Sequence, residues 1–172
     1  EVASKTNLIG ALQKGDKVGI QTALRAYKTP TGAANYVALF GIPSGERLAK
    51  MAENDFNGTL ALVTGAVTLA MESLNLKYPM NALQILDLSE AIVDTAGEDN
   101  LSLEDLMLFL QGLVRGKYNP LYESMDVPKF MGKFEIYREE RHRAMVEYRE
   151  NKHLEYTSMG DATRNTQPET AF

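Results

Sequence analysis

Arg138, Arg141, Arg149 and Lys152 carry the most suggestive chemistry in this chain, with Met145 among them. At 100° per residue they fall along much of one side of a single predicted helix. Glu139, Glu140, Glu147 and Glu150 lie largely opposite, and Arg143 is the exception among the acids. Such segregation serves one of three ends. It gives a solvated face held by i,i+4 pairs such as Glu139–Arg143, worth about 0.3 kcal/mol each. It gives a basic stripe for an acidic partner or a nucleic-acid backbone. Or it frames an oligomer contact through Met145 and Tyr148. Phosphate binding by four cations is salt-sensitive and blind to sequence. Stacking on single strands needs aromatic platforms, and only Tyr137, Tyr148 and Tyr156 stand in this region. A protein partner is therefore favoured over nucleic acid, which stays open as a second partner.

Other chemistry is sparse. His142 and His153 are eleven residues apart, on nearly one helix face but about 16 Å from each other, too far to share a metal. The sequence holds no GxxxxGK[ST], HExxH or GxSxG motif and no Ser/His/Asp pattern. Acid pairs such as Glu139/Glu140 lack the histidines of a helical di-metal site. With no cysteine, thiolate metal sites and disulfides are excluded. The expectation is a non-enzymatic protein with no metal and no cofactor.

The elements that position the basic face centre on Leu101–Arg141, LSLEDLMLFLQGLVRGKYNPLYESMDVPKFMGKFEIYREER. Ser102 and Asp105 form a capping-box start for a helix over 103–115 that Gly116 stops. A turn follows with Tyr118 and Tyr122. Asp126 caps the last helix, with Pro128 tolerated in its first turn. That helix is expected to run to about Tyr156, its first half packing through Val127, Phe130, Met131, Phe134 and Tyr137.

Upstream, the spacing predicts helices over 5–14, 16–28 and Ala33–Phe40, and another over Glu46–Asn54 capped by Ser44. The run from Asn57 to Asn75 is apolar nearly all round, which predicts the central helix of the domain. Its Gly58 and Gly65 are expected to allow close helix approach, and Tyr78-Pro79 to end it. Asn81 with Gln84 opens the next helix, closed by Gly97. The expected architecture is all-α: one multi-helix domain over residues 1–159 with a long C-terminal helix, and a flexible tail over 160–172, GDATRNTQPETAF.

Composition sets the outer bounds. The 172 residues suffice for one ordinary core, and the net charge of −5 excludes bulk DNA binding. The longest uncharged run, Phe56 to Met71, is shorter than the ~20 apolar residues of a membrane span. The N-terminal segment lacks the apolar core of a secretory leader, so the cytoplasm is the expected compartment.

The block from Ala82 to Arg141 resembles a family of small helical proteins carried by phages and mobile elements of Bacteroidetes-type bacteria. Its pattern is a leucine-rich helix, then G-x-Y, Y and D, then Y-x-x-E-R. Gly116, Tyr118, Tyr122, Asp126, Tyr137, Glu140 and Arg141 occupy the matching positions, and Asn119 stands where the family often has Gly. The resemblance implies an accessory factor of DNA replication, a helicase-loader-like protein or primosome adaptor in the host cytoplasm. The partner-binding residues would be Tyr118, Tyr122, Arg138, Arg141, Met145, Arg149 and Lys152, facing a larger protein such as a replicative helicase. The rival expectation is a structural, virion-associated component whose last helix packs on neighbouring subunits.

Overall fold

Polar residues set just before apolar runs start most of the helices. In a computed structural model, which describes residues 2–119 and 123–164 and the side chains of 7–119 and 123–162, α1 (Val2–Lys14) is followed by α2 (Lys17–Leu24), capped by Asp16. The short α3 (Tyr36–Phe40) is capped by Asn35, which accepts from the Ala38 N–H at 3.2 Å. Helix α4 (Leu48–Asn54) begins later than the expected Glu46. Ser44 opens a 3₁₀ turn over Ser44–Glu46 instead of capping, and Arg47 occupies the cap position without a side-chain cap bond. The physical reason is that Arg47 turns inward, as described below, while the Leu48 N–H donates to the Leu101 carbonyl at 3.0 Å.

Helix α5 (Phe56–Leu74) starts at Asp55, which accepts from the Gly58 N–H at 2.9 Å. It stops where Asn75 takes a positive φ of 50°, before the Tyr78-Pro79 pair expected to end it. The two capping boxes form as the sequence predicts, Asn81 with Gln84 at α6 (Ala82–Ala96) and Ser102 with Asp105 at α7 (Leu103–Val114). Asp126 accepts from the Lys129 N–H at 2.8 Å at the start of α8 (Val127–Arg164). Among the described residues the chain forms eight α-helices and no strand, the all-α class that the sequence predicts.

Helix α7 is the most buried, while α5 packs against the most helices. Every residue from Leu103 to Leu110 is buried, including Glu104 and Asp105. Helix α5 buries one face through Thr59, Val63, Ala66, Val67, Ala70 and Met71. It packs along α6 and α7, with α1 and α4 also against it, while α3, α6 and α7 support α8. Helix α5 is central in its packing, as its apolar composition predicts, although its other side is only partly covered. Among the described residues no helix is long and apolar enough to cross a membrane.

Gly65 does not mediate a close approach: a Cβ there meets nothing within 4 Å. At Gly58 the crowding comes from the capping carboxylate of Asp55. Gly65→Ala should therefore raise stability by about 1 kcal/mol through helix propensity, read as a higher urea midpoint at unchanged slope. A lower midpoint would mean that the site is packed after all. Gly116 is required by the fold: its φ of 78° ends α7, and Gly15 and Gly32 also take positive φ.

Helix α8 continues through Arg164, past the expected end near Tyr156 and into the segment 160–172 expected to be a tail. Residues 165–172 of that tail lie outside the described residues.

Candidate interaction surface

The inner half of α8 is fixed to the body by rings and by a buried charge network. Phe109 of α7 sits 5.3 Å from Phe130, 4.9 Å from Phe134 and 6.0 Å from Tyr137, centroid to centroid. Tyr118, from the turn after α7, lays its ring 5.2 Å from the same Phe109. A Cβ on Gly112 would meet the Tyr118 ring at 3.2 Å, so Tyr118 is packed in place.

Next along the helix comes Asp105, fully buried. It accepts from the Tyr137 hydroxyl at 2.7 Å, Arg141 Nε at 3.0 Å, the Ser102 N–H at 2.9 Å and the Ser102 hydroxyl at 2.8 Å. The Arg141 guanidinium is 5 % exposed, donates to the Asp99 carbonyl at 2.9 Å and lies 5.3 Å over the Phe40 ring. Arg47, also buried, donates to the carbonyls of Asn100, Phe40 and Ile42 at 2.8, 3.1 and 2.9 Å. Asp105 and Arg141 form a buried ion pair at 3.0 Å, beside the buried Arg47 and Glu104. Burial, and next the Arg141 charge, lower the Arg47 pKa, while Asp105 and Glu104 support its charged form.

Burial first and the Asp105 carboxylate second push the Tyr137 hydroxyl well above the usual tyrosine range. Tyr36, whose hydroxyl donates to Glu140 at 3.4 Å, is raised by burial and then by Glu140. A raised folded-state pKa means that these phenols contribute stability fully below about pH 10, the unfolded value. That contribution is lost as pH rises above it. In an alkaline titration, part of the phenolate absorbance should therefore emerge only together with loss of helical circular dichroism. Complete phenolate formation before any helix loss would contradict this burial.

Arg138 is also committed. It pairs with Asp99, with Glu98 at 2.8 Å and with Glu135 at 2.9 Å. Burial opposes its charge, and the bonds to Asp99 and Glu98 outweigh that and hold its pKa up. Glu140 binds Lys117 at 2.9 Å, a partly exposed pair worth at most about 1 kcal/mol. On α8, Arg138, Glu140 and Arg141 form ion pairs, whereas the expected Glu139–Arg143 pair does not form.

The residues singled out from sequence thus separate. Arg138, Arg141, Met145 and Arg149 line one cleft of about 320 Å³ beside the α6–α7 loop. Arg138 and Arg141 close its inner end with their charges already paired. Arg149 and Lys152 are exposed, with Lys152 Nζ 5.2 Å over the Tyr148 ring. Tyr118 belongs to the Phe109 cluster, and Tyr122 lies outside the described residues. Asp105, read from sequence only as a capping residue, is the hub. Its one signal was an acid inside an otherwise apolar run, which needs a buried cation. Nothing in the sequence pointed to Arg47.

Beyond Tyr148 the body ends. Every residue from Arg149 to Ala162 is exposed, an arm of roughly 20 Å at 1.5 Å per residue. It carries Leu154, Tyr156 and Met159 at 65, 70 and 69 % exposure. At 100° per residue Tyr156 and Met159 share one side of the arm, where they form a small apolar patch open to a partner, while Leu154 lies largely opposite. No protein-family model, no curated protein and no solved structure matches the chain.

Proposed function

We propose that this chain is a non-enzymatic adaptor that docks through the outer half of α8, acting as an accessory factor in phage or mobile-element DNA replication. The observation that supports docking is the arm from Arg149 to Ala162, exposed on all sides and bearing Tyr156 and Met159. The replication context rests on the resemblance of the Ala82–Arg141 block alone. Within that block Tyr137 and Arg141 are engaged inside the fold, so the docking chemistry falls to Met145, Arg149 and Lys152 and the residues beyond them. A larger partner with an acidic, partly apolar groove suits that surface, and a replicative helicase is the candidate that the resemblance implies.

The test is affinity capture of the tagged protein from its host during phage or element replication, with nuclease treatment and mass-spectrometric identification. The expected result is a helicase or primase that survives nuclease and is lost with Arg149→Glu/Lys152→Glu. Recovery of capsid, portal or tail proteins instead would replace this reading with the virion-associated one. Charge reversal at Arg138 or Arg141 is unsuitable here, because both hold the body together.

A further inference from the structure

The outer half of α8 has few of the pairs that support a solvated helix. From Glu147 onward no acid has a lysine or arginine four residues later, and the oppositely charged pairs Lys152–Glu155 and Asp161–Arg164 stand three apart. The line that packs on the body nevertheless continues in step. Met145, Tyr148, Lys152, Tyr156 and Met159 follow at intervals of three, four, four and three. Repeats of eleven residues keep such a line on one side of a nearly straight helix.

This line also reads alike from both ends. Seven residues either side of Lys152 stand Met145 and Met159, and four either side stand Tyr148 and Tyr156. Three either side stand Arg149 and Glu155, a cation and an anion. Neither of these two makes an ion pair with a described residue in the single chain.

We infer that the arm pairs with a second copy of itself, antiparallel, about a two-fold axis at Lys152. In an isologous contact, positions equidistant from the axis face each other. Methionine then meets methionine, tyrosine meets tyrosine, and Arg149 of each copy meets Glu155 of the other. A partner unrelated to this chain would not require that internal match of size and charge. Lys152 meets its own mate, but each ammonium leans over its own Tyr148 ring, 5.2 Å away. The two Tyr148 rings lie on opposite sides of the axis, so the two charges diverge. The body covers part of this face, with the Tyr148 ring 5.9 Å from Phe40, and leaves open the cleft lined by Met145 and Arg149, where the other copy's Met159 would reach the mouth.

This inference rests on the arm being a docking surface and names one occupant. The larger partner would then meet a two-fold pair of arms.

The chain has no cysteine, so introduced cysteines are its sole thiols. Full-length Met145→Cys and Met159→Cys proteins are prepared separately, then oxidised alone and mixed. Antiparallel pairing predicts a 145-to-159 disulfide in the mixture and little dimer from either protein alone. Lys152→Cys should cross-link to itself. Met145→Cys linking to itself as strongly as in the mixture would mean parallel arms and overturn the proposal, as would no cross-link in any of the three. Independently, Tyr156→Glu should reduce the mass in sedimentation from twice the 19.1 kDa chain to one chain. A monomeric parent protein would refute self-pairing, while capture of an identified replication protein would still stand or fall separately.

Discussion

Replacing Arg141 by alanine should lower the free energy of unfolding by about 3–5 kcal/mol, the usual cost of leaving one member of a buried ion pair without its partner. For a chain of this size that is a fall in melting temperature of roughly 6–20 °C. Asp105 would remain fully buried, with its Oδ1 oxygen left to the Tyr137 hydroxyl alone. The carbonyl of Asp99 would also lose its bond to Nη1. The effect should be strongly coupled: Asp105→Leu with Arg141→Met is expected to cost less than either change alone, because an apolar pair needs no compensation. Urea unfolding of the four proteins in a double-mutant cycle checks this. A loss below about 1 kcal/mol for Arg141→Ala, the scale of an exposed pair, would show that Asp105 finds solvent or another partner.

Phe109→Ala is expected to cost about 3–5 kcal/mol, the range for removing a buried phenylalanine. Phe109 is fully buried and touches rings from two directions: Phe130, Phe134 and Tyr137 on α8, and Tyr118 on the turn. Its removal takes the centre out of the joint between α7 and α8. The denaturant midpoint should fall, and proteolysis should reach the turn after α7 before it reaches α5. An unfolding midpoint close to that of the parent would mean that the surrounding rings collapse into the space.

The helices of this fold were legible because their start signals are local. Asn81 with Gln84 and Ser102 with Asp105 act within four residues, and both boxes form. The all-α class and the packing of Phe130, Phe134 and Tyr137 followed from helical spacing alone. What spacing could not show is which side chains meet across the chain. Arg138 and Arg141 share a helix side with Arg149, and a sequence pattern treats them alike. Their fates differ because the α6–α7 loop brings Asp99 to Arg138 and the first turn of α7 brings Asp105 to Arg141, while Arg149 makes no ion pair among the described residues. Arg47 gave no local sign, because its role depends on carbonyls of Asn100, Phe40 and Ile42.

The division of α8 into an inner half that holds the fold and an outer half that docks is tested most directly by one paired comparison. Arg149→Glu/Lys152→Glu/Tyr156→Glu and Arg141→Ala are each assayed for thermal unfolding and for capture of the partner recovered by the parent protein. The arm variant should melt within a few degrees of the parent and lose the partner, while Arg141→Ala should melt far lower. An arm variant that keeps the partner, or that unfolds as readily as Arg141→Ala, would contradict this division.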